Sequence, residues 1–406
     1  MPTKVPHTLD APQAESPEHA IRLLLEHAHP VATERLALDH AHGRVLAEAI
    51  RADRASPAAD VSAMDGYAVR TGDAGRLPVL ADIPAGVEPI DMPAGGVVRV
   101  MTGSCVPAGA DLVVKREDVD EQPDAITIDP AIAADLRPGL NIRRRGENIQ
   151  AGESVANRGV EITPALVGVL ASFGHHRVEV YRRVKVAILT TGDEVVPADV
   201  SPRPWQLHDS NGPTLAAFLA GALWVAPAAA VHVRDDRGAI RAAIASALER
   251  ADVLVLSGGV SMGDRDYVPA VLREVGARTL FHGVPQRPGR PTLAAVSIDG
   301  QPIVALPGNP VSVAVTARRL VRPVLHALGG LTRTPPPRTV MLVNPDGKSL
   351  PLWWHRLVRL VPGGLAESVG SKGSGDLVSA ARADGFVVIP PGEPGPGPFE
   401  FHPWTL

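Results

Sequence analysis

The chain has 406 residues, of which 45% are apolar and 21% charged, a composition typical of a globular protein with several domains. A net charge of -4 and an aromatic content of 3% argue against binding to nucleic acid or to an anionic membrane surface. Cys105 is the single cysteine, so an internal disulfide and a cysteine zinc cluster are excluded.

We expect neither a signal peptide nor a transmembrane anchor in this sequence. Its polar, proline-containing beginning does not resemble a signal peptide, and with the cysteine content this favours a cytoplasmic protein. The longest apolar run, "LAAFLAGALWVAPAAAV" (215–231), is Ala-rich and broken by Pro227. We expect a buried helix followed by a strand there, not a membrane span.

Two separated segments have helical character, and we expect residues 15–52 and 150–182 to pack together as one domain. Ser16 and Pro17 begin "SPEHAIRLLLEHA" as a cap and first helical position, and "ATERLALDHAHGRVLAEAI" (32–50) is expected to continue as helix. Thr163 and Pro164 begin the second helix in the same way. Residues 53–149 consist of short alternating pieces between Gly/Pro turns, which predicts a β-rich insert domain.

Strands and helices alternate over residues 183–330, which predicts a mostly parallel, doubly wound sheet. Its predicted strands include "VKVAILTTG", "VAPAAAVHV", "DVLVLSGG" and "PIVALPGNP", and a long helix follows the last of them. The proline-rich linker "TRTPPPR" (332–338) then leads to a small β domain, residues 338–406. The predicted fold class is therefore multidomain α/β.

Four polar loops follow apolar strands of this sheet, and in a parallel sheet they open on the same edge. They are "TTGDE" (190–194), "RDD" (234–236), "SGGVSMGDRDY" (257–267) and "LPGNPVS" (306–312). Glycine-rich backbone can hold phosphate oxygens, and a predicted binding set follows from two of the loops. It comprises Ser257, Gly258, Gly259, Ser261, Gly263, Pro307, Gly308 and Asn309.

The same loops contribute the carboxylates Glu194, Asp235 and Asp266, which repel phosphate unless a cation lies between them. Carboxylate oxygens suit Mg²⁺ or another hard divalent cation, which can link acidic side chains to a phosphate or phosphoanhydride. We expect these three residues to be metal ligands. The alternative is that each loop is an ordinary turn, with Asp193 and Asp266 only capping helices.

Two catalytic patterns are absent from the sequence. No G-x-G-x-x-G follows the first strand, and no G-x-x-x-x-G-K-[ST] occurs. Elsewhere, Asp65 in "SAMDGYAV", Thr102 in "VMTGSC" and Ser374 between two glycines are candidates for polar contacts with a ligand. Each is also compatible with a plain turn, as "NIRRRGEN" (141–148) is with solvated surface charge.

Nine motifs, in order over residues 15–400, resemble the molybdopterin molybdenumtransferase family (MoeA and the gephyrin E domain). They are "SAMDGYAV", "VMTGSCVPAGADLVV", "RRRGENI", "ILTTGDEVV", "HDSNGPTL", "LSGGVSMGDRDY", "RPGRP", "LPGNPVS" and "GSGDL". The resemblance implies a MogA-like sheet domain, a β-rich insert, a helical piece and a C-terminal β-barrel-like domain. It also implies insertion of molybdate into adenylylated molybdopterin with a divalent metal and release of AMP.

Carried over position by position, the resemblance assigns the catalytic set Asp65, Thr102, Glu194, Asp235 and Asp266, and adds Arg287, Arg290 and Ser374 to substrate binding. It implies a homodimer whose active site is shared between subunits, and a molybdoenzyme or a molybdopterin adenylyltransferase as further partner.

One departure from the family pattern F-x-K-V-x-x-K-P-G-K-P stands out. The sequence here is "FHGVPQRPGRP", so Gly283 replaces the first lysine, while Arg287 and Arg290 keep the charge of the other two. This departure keeps open a non-catalytic scaffold that binds or carries molybdopterin or its cofactor. A phosphotransferase or adenylyltransferase using the same crevice is a third reading.

Overall fold

The computed structural model describes residues 12–260, 266–332 and 336–405. These residues form two compact units. The first takes in the described residues of 1–48, 158–171 and 175–406, and the second those of 49–157 and 172–174. The finer division into four domains stays a prediction.

The N-terminal helix begins as expected, but the helix expected after it is absent. In α1 (Pro17–Leu25), the Ser16 hydroxyl accepts a hydrogen bond from the His19 amide at 3.0 Å. The expectation of helix over 32–50 is wrong, because Thr33–Ala37 is a strand, β1, paired antiparallel with residues 177–181. Gly43 ends any helical path there, since its φ is +71° and a Cβ atom would lie 2.5 Å from Leu223.

The second unit is β-rich, as the alternating pattern predicted. Its six-stranded sheet has the order β7-β4-β6-β5-β9-β8, and only β5 and β6 run parallel. The core between its strands is aliphatic, with Val98, Val113 and Ile126 fully buried. Its elements are β2 (Ile50–Arg51), β3 (Val61–Ser62), β4 (Gly66–Val69), β5 (Gly75–Ile83), β6 (Val97–Val100), β7 (Leu112–Lys115), β8 (Asp120–Glu121), β9 (Ala125–Ile128), α2 (Pro130–Asp135), β10 (Ile142–Arg143) and β11 (Ser154–Ala156).

The chain then forms α3 (Pro164–Ser172) and β12 (Arg177–Tyr181), the partner of β1. Thr163 caps α3 as predicted, because its hydroxyl accepts from the Leu166 amide at 3.3 Å. Pairing of β1 with β12 therefore joins the beginning of the chain to a segment more than 140 residues away.

The predicted doubly wound sheet is present and mixed. Its order is β16-β13-β17-β21-β20-β18. The first four strands run parallel to one another, and β20 runs antiparallel to both of its neighbours, β21 and β18. Apolar clusters cover both faces, which explains the continuous apolar runs in its strands. The strands are β13 (Val186–Thr191), β14 (Val195–Val196), β15 (Leu207–His208), β16 (Ala230–Val233), β17 (Val253–Ser257), β18 (Arg278–His282), β19 (Gln286–Arg287), β20 (Leu293–Val296) and β21 (Pro302–Leu306). The short strands β14, β15 and β19 lie outside the six-stranded order.

Helices alternate with these strands. They are α4 (Asn211–Ala220), α5 (Arg237–Leu248), α6 (Val268–Glu274), α7 (Pro310–Thr316) and α8 (Arg322–Leu328), with a π-helical segment, Ala317–Val321, joining the last two. The run 215–231 is thus the end of α4 and the start of β16, as expected. Within the described residues, no helix combines the length and apolar character that a membrane span requires.

The C-terminal strands close into a barrel. The order β23-β24-β22-β26-β25 returns to β23 through a second pairing, and β19 adds to β23 from outside. Closure leaves no free edge among these five strands. The elements are β22 (Arg338–Leu342), β23 (Trp353–Val361), β24 (Leu365–Ser368), α9 (Leu377–Ala381), β25 (Gly385–Ile389) and β26 (Phe399–Pro403).

We expect Gly330→Ala to destabilise the fold where α8 meets β12. Gly330 has φ +72°, and a Cβ atom would lie 2.2 Å from the Tyr181 ring, so both conformation and packing oppose it. The free energy of unfolding should fall by about 2–4 kcal/mol in urea denaturation. Gly300→Ala is the matched control, since φ is +87° there but nothing lies within 4 Å, and about 1 kcal/mol is expected. Equal losses in both variants would contradict the packing argument.

Candidate active site

A crevice of about 670 Å³ lies at the carboxyl ends of the parallel strands β13, β16, β17 and β21. All four polar loops that the sequence singled out contribute to its lining, so the predicted convergence is present. The contributing residues are Thr191, Gly192 and Glu194, then Asp235, then Gly258, Gly259 and Asp266, and finally Pro307, Gly308 and Asn309.

Glycines let two of these loops approach each other closely. Gly258 and Gly259 have φ of +98° and +64°, and a Cβ atom on Gly258 would lie 2.6 Å from the carbonyl oxygen of Thr191. Among the described residues, the atom that a Cβ built on Gly308 would approach within 4 Å is the Cα of Gly258, at 3.8 Å. Gly258, Gly259 and Gly308 therefore present backbone atoms at the floor of the crevice.

Asn211 holds the two glycine loops together, and the sequence reasoning assigned it no role. Its Nδ2 donates to the Ser257 hydroxyl at 3.0 Å and to the Gly308 carbonyl at 2.7 Å. The Ser257 hydroxyl in turn donates to the Pro307 carbonyl at 3.3 Å. Ser257 is 1% exposed, so it positions the loops from beneath. The signal in the sequence is "HDSNGPTL", one of the nine family motifs, which contains this asparagine.

The described lining of the crevice is acidic. Glu194, Asp235 and Asp266 are joined there by Asp209, and no lysine or arginine is among the described lining residues. Asp209 is held in place, since its carboxylate accepts from the Thr190 hydroxyl at 3.0 Å and from the Gly212 amide at 2.9 Å. A phosphate ligand therefore needs a cation to enter this part of the crevice.

The negative charge of Asp235 is disfavoured by its surroundings. Partial burial raises the pKa of its carboxyl, and the neighbouring carboxylates of Asp193 and Glu194 raise it further. Asp193 and Asp235 also exchange backbone-to-carboxylate hydrogen bonds at 3.2 and 3.3 Å, which fix them side by side. The site is thus built so that a cation relieves repulsion already present in the protein.

The acidic residues of the crevice are of the kind that bind a divalent cation together with other oxygen ligands. Among the described residues, no group of three or more Asp, Glu, His or Cys side chains is arranged to hold a metal by itself. Mg²⁺ in phosphate-handling enzymes commonly takes only one or two carboxylates, with substrate oxygens and water completing its shell. Glu194 and Asp235, beside a bare glycine floor, supply that kind of oxygen donor set.

Several predicted binding residues do not line this crevice. Arg287 and Arg290 are exposed and form no ion pair within the described residues, although the next residue, Pro291, does reach the lining. Ser374 contributes its carbonyl to the Val311 amide at 3.0 Å, while its neighbour Gly375 reaches the crevice. Ser261 and Gly263 lie outside the described residues.

Asp65 and Thr102 form a pair of their own in the second unit. One carboxylate oxygen of Asp65 accepts from the Thr102 amide at 2.7 Å and from its hydroxyl at 2.9 Å. These hydrogen bonds hold the pKa of the Asp65 carboxyl below its usual value. The structure brings these two together, and their part in the active site stays a prediction from the resemblance.

Gly283, at the position of the family lysine, has a backbone that suits glycine. Its φ is +111°, its amide donates to the Thr292 carbonyl at 2.8 Å, and its carbonyl accepts from the Ala14 amide at 3.0 Å. The departure from the family pattern is therefore accompanied by a backbone that a lysine fits poorly.

Comparison with known proteins shows similarity to molybdopterin-related protein families over most of the chain. A model of the MoeA N-terminal region (domains I and II) matches residues 15–174, and a model of a probable molybdopterin binding domain matches residues 187–327. A model of the MoeA C-terminal region (domain IV) matches residues 353–397.

Curated and solved relatives agree. A molybdopterin molybdenumtransferase from a Nostoc species is 36% identical over 89% of this chain and 86% of its own length. Molybdopterin molybdenumtransferase 2 from Mycobacterium tuberculosis is 35% identical over 87% of this chain and 90% of its own. The crystal structure of a molybdopterin biosynthesis MoeA protein from Pyrococcus horikoshii superposes with a TM-score of 0.79 at 26% identity, covering 95% of this chain and 98% of that one.

The fold and the matches define a multidomain α/β transferase with a doubly wound sheet domain, matched by the model of a probable molybdopterin binding domain, and a C-terminal barrel. The chain belongs to the molybdopterin molybdenumtransferase family.

We expect Asp235→Asn to stabilise the protein when no cation is bound. Asparagine can still accept the hydrogen bond from the Asp193 amide but removes the repelled charge. Because the pKa of Asp235 is raised in the folded state, its ionised carboxylate destabilises the fold at neutral pH. The stability gain of the variant over the parent chain should therefore shrink as pH falls through that raised pKa. At neutral pH the melting midpoint should rise by about 1–3 °C.

The measurement is a thermal melt in a chelating buffer at several pH values, with Asp299→Asn as control. Asp299 is exposed in the turn before β21, at the sheet edge opposite the crevice. Destabilisation of Asp235→Asn at neutral pH would show that the charge is structurally required.

We expect Gly283→Lys to lower stability instead of restoring a family feature. The position is sterically open, with the nearest contact of a Cβ atom at 3.4 Å to Gln13, so the loss should come from the positive φ. Gly283→Lys and Gly283→Ala should each cost about 1–2 kcal/mol in urea denaturation. A lysine variant as stable as the parent chain would contradict this reading.

Proposed function

We propose that this chain inserts molybdate into adenylylated molybdopterin and releases AMP. The observation that supports it most is the crevice, in which a bare glycine floor and a row of carboxylates face each other at one sheet edge. A phosphoanhydride linked to the acids through a cation suits this combination, whereas a free phosphate without a cation is repelled.

In this proposal the glycine loops bind the phosphoanhydride of the substrate, and the acidic side chains orient it through the cation. Gly258, Gly259 and Gly308 allow the anhydride to lie against the backbone, while Asn211 keeps the two loops at a fixed separation. Glu194 and Asp235 would hold Mg²⁺ or a similar divalent cation, with Asp266 on the same lining. When bound, the cation would withdraw negative charge from the anhydride, which favours its cleavage.

The incoming molybdate requires positive charge, which the described crevice lining lacks. Arg287 and Arg290 are the candidates, because both are exposed, free of ion pairs within the described residues, and close in sequence to the lining residue Pro291. Ser374 adds a hydroxyl next to the lining residue Gly375. Arginine forks bind tetrahedral oxyanions through paired hydrogen bonds.

The rest of the proposal concerns assembly. We propose a cytoplasmic homodimer in which Asp65 and Thr102 of the partner subunit complete the active site, with Asp65 kept ionised by its two hydrogen bonds. A molybdoenzyme or a molybdopterin adenylyltransferase is proposed as a further partner that receives the product or supplies the substrate.

We expect Glu194→Gln and Asp235→Asn to lower AMP release by about 100-fold to 1,000-fold, because each removes charge that would hold the cation. The assay supplies purified protein with adenylylated molybdopterin, molybdate and Mg²⁺, and measures AMP per folded molecule. Asp299→Asn, at the opposite sheet edge, is the control and should match the parent chain.

The outcomes separate the alternatives. No AMP from the parent chain, under conditions in which a reference family member releases it, would refute the proposal. Tight molybdopterin binding without turnover would instead favour a scaffold or carrier, the reading that Gly283 keeps open. Consumption of ATP with molybdopterin would favour an adenylyltransferase or phosphotransferase.

A further inference from the structure

Three arginines are concentrated where the helix after β21 packs against the C-terminal barrel and α1. Arg318 and Arg319 belong to the π-helical segment and Arg322 begins α8; together we name them the arginine cluster. Arg318 and Arg319 are 8% and 7% exposed, which is rare for arginine. None of the three is among the described lining residues of the crevice.

The arginine cluster has too few negative partners. Arg319 pairs with Glu18 at 2.6 Å and lies 3.3 Å from the His402 ring. Arg318 donates through Nε to the Pro403 carbonyl at 2.9 Å, and no carboxylate of the described residues lies within ion-pair distance of Arg318 or Arg322. The buried Nε atoms of Arg319 and Arg322 also lack an acceptor within the described chain.

The other titratable groups nearby do not supply negative charge. Burial and the neighbouring arginines lower the pKa of His402 to about 3 and that of His326 to about 4, and burial holds the pKa of His355 well below its usual value. These three rings are therefore neutral at pH 7. Glu400 lies 3.5 Å from His402 but is half exposed and pairs with none of the arginines.

The imbalance is a property of the packing. Glu18 offsets one of the three positive charges, so the described residues leave two uncompensated. Burial and repulsion from Arg322 and Arg319 lower the pKa of Arg318 to about 9. Buried charges without partners are strongly destabilising, and unsatisfied buried donors in native proteins commonly mark a bound ion or water.

We propose that the arginine cluster binds one tetrahedral dianion, such as sulfate, phosphate or molybdate, at a site separate from the crevice. A dianion matches the two uncompensated charges, and planar guanidinium groups with free donors match the geometry of oxyanions better than that of chloride. Arg322 is only partly buried, which gives the anion a route from solvent.

Binding there would stabilise the contact between the sheet domain and the barrel. Arg318 and Arg319 already reach Pro403 and His402 on β26, and the same helix carries Val311, whose amide binds the Ser374 carbonyl. An anion at the arginine cluster would therefore support the helix against which the Ser374 loop rests. The site depends on no assumption about the reaction in the crevice.

The test is the melting midpoint of the full-length protein at low millimolar sulfate, phosphate or molybdate, against chloride at equal ionic strength. The parent chain should show a midpoint that rises and saturates with each oxyanion. The double variant R318M/R322M should lose this dependence, and it should be at least as stable as the parent chain in chloride, because unpaired buried charges have been removed. Arg241→Met, an exposed arginine on α5 without an ion pair in the described residues, should keep the full dependence.

Comparison of the three oxyanions shows whether the site prefers molybdate or accepts any tetrahedral dianion. If the melting midpoint of the parent chain does not change with oxyanion, the proposal is overturned. This would also be the result if an acidic side chain of a second copy neutralises the arginine cluster. The same dependence in R318M/R322M would overturn it too, since binding would then lie elsewhere. If the double variant does not fold, Arg318→Lys replaces it: half-saturation should need about tenfold more sulfate, and an unchanged value would contradict the proposal.

Discussion

The hydrogen bonds that Asn211 donates to Ser257 and to Gly308 are the constraint on which the crevice depends. They join the ends of β17 and β21 from the first residue of α4, and Ser257 reinforces them through Pro307. Because the loops they join have glycine at the point of closest approach, no side chain separates them. Contacts within the protein thus hold the glycine floor in place, and hydrogen bonds position Asp209, Asp193 and Asp235.

The crevice and the arginine cluster, both in the first unit, carry excess charge of opposite sign. In the crevice, Glu194 and Asp235 stand together without a cationic side chain among the described lining residues, so a cation relieves repulsion there. In the arginine cluster, Arg318 is buried and Arg322 partly buried, neither with a carboxylate partner among the described residues, so the proposed anion would have the same effect. Both imbalances are costly for the empty protein, and both are reduced by a ligand of the opposite sign. Ligand binding and stability are therefore linked in this fold.

The helix predicted over residues 32–50 is absent, which shows how distant contacts override local helix propensity. Its residues have ordinary helix propensity, yet Thr33–Ala37 pairs in register with Arg177–Tyr181, a segment no local window can include. Gly43 then has a left-handed backbone, and Leu223 occupies the space where a Cβ would lie, so both features favour glycine. The caps at Ser16 and Thr163 were predictable because a cap depends on only four consecutive residues.

The sequence by itself determined the alternation of strands and helices in the sheet domain, and with it the edge on which four loops meet. A buried parallel strand is apolar throughout, and its following loop must lie at the carboxyl end, so local pattern suffices. Only the tertiary structure decided that Asn211 joins two loops, that Ser257 lies beneath them, that Asp209 joins the acids, and that three arginines are enclosed with one carboxylate. Those facts depend on distances between residues far apart in the chain, which periodicity and spacing do not encode.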